Sequence, residues 1–436
     1  MTLRGVQLVG AWLIGVSLTM GAVGCGDGGS GGGAITVGTL ADTIGSGDCS
    51  LREAISTADG FPVSDSGCRP TSGAHRIVFK SGLTGSVRLN QALPPLRGRL
   101  TLEGPDFPDH IVISGESRVR VIDIQAGADV ELRNLTFTNG ESTDGGSGVR
   151  NAGATTIEDC TVTSNHSSIG GAGILNVGGE LEIRDSWVVD NSAGGAAGGL
   201  FAVGGSVTIE DSTFEANESG DGSGGAVSSS VPLTISGSTF SVNISSGGGG
   251  AIDAAGPTSI INSTFFHNTA NGSGGALAVQ GTTSVIASSF ADNMAAPQFA
   301  GSALFVASGG ALTLRSTLVA RAADTLNPLC LASGSRSLRD GGYNIGSDHS
   351  CGFAASTGAS GQRIGDGVDP RLDPAGLQNN GGPTETVALL DDSPAIAAIP
   401  PADCTNADGK PLTIDQRGES RPRQQPCTIG AYEASE

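Results

Sequence analysis

Short apolar runs alternate with Gly, Ser, Asn and Asp through the middle of the chain, and they recur in register. Strand-like triplets with apolar ends stand at Leu181-Glu182-Ile183, Val207-Thr208-Ile209, Leu233-Thr234-Ile235 and Leu312-Thr313-Leu314. A second mark follows, in which Val162, Val188, Phe214, Phe240, Phe265 and Phe290 each lie three places before Asn165, Asn191, Asn217, Asn243, Asn268 and Asn293. With Asn139 taken as the first member, the asparagines step by 26 or 25 residues. The third mark is glycine before an apolar residue, as in Gly199-Leu200, Gly224-Gly225-Ala226-Val227, Gly249-Gly250-Ala251-Ile252 and Gly274-Gly275-Ala276-Leu277.

Three short β-rich runs per period, with turn residues between them, predict one coil of an all-β, right-handed parallel β-helix in which each coil packs on its neighbours. Helical repeats need longer runs with a 3.6-residue period than these Gly-studded segments supply. Equivalent positions then stack at ~4.8 Å, the spacing between strands. Phe214, Phe240, Phe265 and Phe290 are expected as an internal aromatic column. The asparagines are expected as a ladder at a turn, in the left-handed conformation that Asn tolerates, with side-chain amides bonding the next coil. Paired glycines are expected at bends that a Cβ would block.

The composition of 71 Gly in 436 residues, 15% charged and 4% aromatic, suits such a turn-dense solenoid. Disorder is excluded because the 37% of hydrophobic residues recur in register. A formal net charge of -20 argues against a nucleic acid as partner.

In chain order, residues 1–24 read as a signal peptide, with Arg4 before an apolar run through Leu8, Trp12, Leu13 and Leu18. The run ends in Ala22-Val23-Gly24-Cys25, which resembles a bacterial lipobox, although Ala22 stands where Leu is commoner. Lipidation of Cys25 is the expectation and simple secretion the alternative, with residues 25–34 as the lipidated Cys and a Gly-rich tether. Residues 35–75 are expected to form an N-terminal cap. Ser50 and Glu53 are spaced as a capping box that starts a short helix. Such a helix would cover the open end of the first coil, where core and strand edges are otherwise exposed. The run Cys49-Ser50-Leu51-Arg52-Glu53-Ala54 resembles the CSLREA-type module at the start of bacterial surface β-helix proteins. Cap plus ion pair is its expected role, ahead of a binding site using Arg52 and Glu53. The β-helix is assigned to residues 76–322, about ten coils, and the periodicity lapses after Ala320.

Residues 323–436 read as a second module. It carries Gly342-Tyr343-Asn344-Ile345-Gly346, Asn380-Gly381-Gly382-Pro383-Thr384, Asp415-Gln416-Arg417-Gly418 with Arg421-Pro422, and Ile429-Gly430-Ala431-Tyr432-Glu433. Together these resemble the choice-of-anchor module of bacterial surface β-helix proteins. Ala397 departs from the Asp usual after its Ser-Pro-Ala-Ile run. With no sorting signal or hydrophobic tail after Glu433, the membrane contact is expected to come from the lipid on Cys25.

Eight cysteines are present. The sequence-local pairings are Cys49 with Cys68, Cys330 with Cys351, and Cys404 with Cys427. Each closes a loop of about twenty residues, worth ~3 kcal/mol by loop entropy. All six flank the array, and an exported chain can oxidise them. Cys160 is left over, at the place held by Ser186, Ser212 and Ser238 in later coils.

One acid column stands out for chemistry. Asp159, Asp185 and Asp211 are spaced by 26 residues, and the series lapses to Gly237 and Asn262. Three stacked carboxylates would repel and raise one pKa, as in a glycoside hydrolase site, or would hold Ca²⁺. Turn residues of no chemical role are the expectation, with no resident metal or cofactor. His166 and His267 sit beside ladder asparagines and are expected to be solvated, without an acid partner in register.

Phe-x-x-Asn alternating with Gly-Gly-Ala-Ile resembles the repeats of polymorphic outer-membrane proteins, which are β-helical surface adhesins. That resemblance implies an outer-membrane or cell-surface protein with a surface glycan or protein as partner. The primary expectation is a lipid-anchored adhesion scaffold without turnover. A carbohydrate-active enzyme using Asp159, Asp185 and Asp211, and a structural envelope spacer, are the alternatives.

Overall fold

The computed structural model describes residues 33–69, 75–106, 108, 110–299, 301–321, 327–334, 337–422 and 425–434. Cys25, the expected signal peptide and nearly all of the expected tether lie outside the described residues.

The chain winds into a right-handed parallel β-helix of about ten turns. A 19-stranded sheet holds two adjoining columns of strands, a 13-stranded sheet forms the second wall, and seven two-residue strands form a third. Parallel register explains the period. Ile157 pairs with Ile183, Ile183 with Ile209, Ile209 with Ile235 and Ile235 with Ile260, so one apolar column runs up the first wall. Across the interior, Phe214, Phe240, Phe265 and Phe290 stack with ring centroids 5.2, 5.0 and 4.5 Å apart. All four rings are fully buried, and offset stacking adds about 0.5–1.5 kcal/mol per pair to their burial.

The ladder begins at Asn165, not at Asn139. Thr138 pairs with Thr163, which sets Asn139 opposite Ser164 and leaves Gly140 opposite Asn165. From Asn165 upward each amide nitrogen donates to the next asparagine's Oδ1, at 2.9, 3.0, 3.0, 2.9 and 2.9 Å. Each ladder backbone N–H donates to the same oxygen, as Asn217 does to Asn243 at 3.0 Å. The expected left-handed conformation falls on the residue before each asparagine: Ser164, Asp190, Ala216, Val242, His267 and Asp292 have φ between 51° and 58°. The turn therefore strains its neighbour and leaves the asparagine free to point inward. A hydroxyl ladder runs beside it, in which the backbone N–H groups of Ser186 and Ser212 donate to Ser212 and Ser238 Oγ at 3.2 Å. Cys160 occupies one rung; burial pushes its thiol up to about 12, as befits an inert packing residue. Gly224 and Gly225 make the third bend: Gly224 has φ 73°, and a Cβ on Gly225 would meet Gly250 O at 2.3 Å.

At the N-terminal end a helix, Leu51–Ala58, packs Leu51, Ala54 and Ile55 into the same core as Ile35, Val37 and Ile77. Ser50 and Glu53 form the reciprocal capping box, and Cys49–Cys68 is closed beside it. Arg52 pairs with Asp42 at 2.8 Å and reaches Ala92 O and Gln91 O, so its ion partner is not its neighbour Glu53. Arg52 thus ties the helix to the first coils.

Parallel stacking continues past residue 320: Cys330–Ala332, Leu338–Asp340 and Ile345–Gly346 each pair with the coil before. Cys330–Cys351 and Cys404–Cys427 are both closed. From Asp369 the chain reverses and runs back along the outside of the second sheet. An antiparallel hairpin, Leu372–Gln378 with Thr386–Leu389, leads this strap.

Candidate functional site

Along the second sheet one outward ladder reads Thr136, Thr161, Trp187, Thr213, Thr239, Thr264, Ser289 and Leu318. The strap covers its later members, and Thr239, Thr264, Ser289 and Leu318 are buried beneath it. Thr239 Oγ1 donates to Glu385 O at 2.5 Å, and Thr264 Oγ1 donates to Gln416 Oε1 at 2.6 Å. Gln416 Nε2 donates to Thr239 and Thr384 Oγ1 at 2.8 and 2.9 Å, and Thr384 Oγ1 donates to Gly237 O at 2.7 Å. The amide Gln416 thereby bridges two coils and the strap itself.

A buried guanidinium locks the far end of the strap. Arg421 places all five of its donors, on Ile414 O, Thr428 O, Glu433 Oε2, Asn262 Oδ1 and Gly430 O, at 2.7–3.3 Å. Burial pulls its pKa down and Glu433 and Asp415 pull it back. Glu433 is raised first by burial, against the lowering pull of Arg421 and Thr428. Asp415 accepts from Arg417 N and Nε and from Glu433 N, while Arg417 lies over the Tyr432 ring at 3.8 Å. The hydrogen bonds of this pair offset part of its desolvation cost, and losing one partner would strand a buried charge. Gly430 is needed where it sits: φ is 103° and a Cβ would meet Leu318 Cδ1 at 2.8 Å.

The strap makes two hollows against the sheet. One, of about 590 Å³, lies between Phe266, His267, Asp292 and Arg321 and strap residues 369–377. His267 Nε2 sits 3.6 Å from Asp292 Oδ2 one coil on, so this histidine does have an acid partner in register. Arg321 is paired to Asp348 at 2.6 Å and Arg371 to Asp392 at 2.8 Å, which leaves neither cation free for a ligand.

The other hollow, of about 360 Å³, lies where the strap ends and the open face begins. Trp187, Thr213, Glu215, Thr239 and Ser241 form its floor, and Asn379, Thr384 and Glu385 part of its strap wall. Trp187 is 47% exposed. Glu215 is at the surface, yet its carboxyl is drawn above the usual range, first by partial desolvation and then by Glu385 and Asp190. Among the described residues neither Glu215 nor Glu385 makes an ion pair.

Asp159, Asp185 and Asp211 lie elsewhere, at the corner between the first and second sheets. All three have left-handed backbone, with φ of 51°, 46° and 47°, as do Asn134, Gly237 and Asn262 at the same corner of other coils. Turn geometry therefore accounts for their identity. Asp159 and Asp185 are exposed and Asp211 is half-buried. Asp211 is pushed up to about 6, by burial first and by Asp185 and Glu210 after it. No cluster of three or more His, Cys, Asp or Glu side chains suited to a metal ion occurs among the described residues. None of the three aspartates lines either hollow.

The sequence pattern does not mark Trp187, Glu215 and Glu385 as members of one site. An exposed Glu in a strand position where the adjoining coils hold Val189 and Ser241 is the available signal for Glu215. Nothing in the sequence placed Glu385 beside it.

A family model described as right-handed beta helix region matches residues 109–240. Searches of curated proteins and of solved structures returned no match. The matched coils and the stacked parallel sheets agree on one fold, a right-handed parallel β-helix.

Proposed function

We propose that the protein is exported, anchored by lipid on Cys25, and displays its β-helix at the cell surface as a binding scaffold without turnover. The observation that supports this is where the repeated polar residues go. Asn165 to Asn293 spend their amides on one another, and the acid column is a file of turn residues that line neither hollow. What remains for function is a long outer face, half of it left open by the strap. Replacing Cys25 by Ala should move the protein from the membrane to the soluble fraction; retention in the membrane would sink the anchor. Incubation with acidic and neutral polysaccharides, with and without Ca²⁺, should yield no new reducing ends or unsaturated products.

One observation favours a second reading, a carbohydrate-active enzyme. Asp211, raised to about 6, has the protonation range of a general acid, and Gly237 leaves room for its carboxylate where a Cβ would meet Oδ1 at 1.9 Å. Product that disappears in Asp211→Asn and Asp185→Ala would establish it.

A further inference from the structure

We infer that the hollow at the end of the strap is a binding site for a neutral, linear polysaccharide, with Trp187 as the stacking platform and Glu215 and Glu385 as hydrogen-bond acceptors. The inference rests on the binding-scaffold reading and names its ligand class.

The chemistry of the walls selects the occupant. Trp187, 47% exposed, stands beside two carboxylates that make no ion pair among the described residues. Carboxylates accept strongly from hydroxyl donors, and an aromatic face suits the C–H side of a sugar ring. Thr213, Ser241 and Asn379 add neutral donors and acceptors around them. A uronate polymer would meet Glu215, Glu385 and a chain of formal net charge -20, so repulsion excludes it.

The face is also ill-suited to a peptide strand. Its backbone N–H and C=O groups are engaged between coils, as in Trp187–Val189 paired to Thr213–Glu215, so no sheet edge is free for strand addition. The strap itself binds this face through side chains, Thr239, Thr264 and Gln416, rather than by adding a strand. The hollow opens toward Thr161 and Thr163, partly exposed members of the same outward rows, which would carry the polymer past the strap's end.

The chain provides its own reporter, because Trp187 is the only tryptophan outside the predicted signal peptide. Residues 26–436 would be titrated with hexasaccharides of glucose, mannose and xylose, with polygalacturonate and oligolysine alongside. A saturable blue shift of Trp187 emission with at least one neutral hexasaccharide is expected, and none with polygalacturonate. Glu215→Gln and Glu385→Gln should each weaken binding by about tenfold, the loss of one charged hydrogen bond, with melting unchanged. Trp187→Ala, followed by calorimetry in place of fluorescence, should abolish it. No shift with any neutral sugar, a shift indifferent to Glu215→Gln, or a shift with oligolysine alone would overturn the assignment. Loss of the site with membrane anchoring through Cys25 intact would leave the scaffold reading standing. Binding accompanied by new reducing ends would keep the site and remove the claim of no turnover.

Discussion

Thr161, Trp187 and Thr213 stand at the same outward positions as Thr239, Thr264 and Ser289, yet the first three meet solvent and the last three are sealed under the strap. Both halves rest on one asparagine ladder and one apolar core. They differ because a segment more than a hundred residues downstream supplies Gln416, Thr384 and Arg421 to one half and stops at Glu385 short of the other. In a solenoid, where each coil touches only its neighbours, that long return is the contact that makes two equivalent rows unequal.

The comparison breaks most directly at Arg421. Arg421→Met leaves Glu433 buried without its cation, at a cost of about 3–5 kcal/mol. Hydrogen exchange should show protection lost over residues 369–434 and kept over 165–293; uniform loss would mean that strap and array are one cooperative unit. Next in size is Asn217→Ala, which strips the Asn191 backbone N–H and amide of their acceptor beneath the open half and the Val188 carbonyl of its donor. A loss of about 2–4 kcal/mol is expected from these buried groups, read as an earlier denaturation midpoint. A shift no larger than that of a partly exposed Thr161→Ala control would show that the ladder is ornamental to stability.

Gln416→Ala tests the seal itself. It removes the bridge among Thr239, Thr264 and Thr384 and should cost about 1–3 kcal/mol, with protection falling at Thr239 and Thr264 but not at Thr213. The smallest effect is at Asp211, beside the boundary. Its folded pKa lies above the ordinary 3.8, so the stability it contributes is full below about pH 4 and is lost as pH rises through about 6. Asp211→Asn, which keeps a side chain suited to left-handed backbone, should match the wild type at pH 4 and melt higher at pH 7 by less than about 2 °C. Equal melting at both values would mean that the carboxylate feels no burial.

Much of the fold was legible because a solenoid writes its contacts into a fixed sequence step. Phe214, Phe240, Phe265 and Phe290 stack as the period demands, and Ser50 with Glu53 caps the helix that their spacing predicts. The misplacement of Asn139 had a local cause: its coil is one residue short, so the asparagine falls on the left-handed position and glycine takes the ladder place. The acid column was visible, but an aspartate at a left-handed turn looks the same in sequence as one placed for chemistry. The His267–Asp292 pair was missed because the partner lies a full coil away beside a ladder asparagine.

The sequence by itself determined the coil, its columns and its ladders, since neighbours one period apart must stack. It could not say that residues 369–433 turn back, because the contacts of Gln416 with Thr239 and of Arg421 with Asn262 span 177 and 159 residues and share no period with the array. Only the tertiary structure decided which half of the second sheet stays open, and so where Trp187, Glu215 and Glu385 come together.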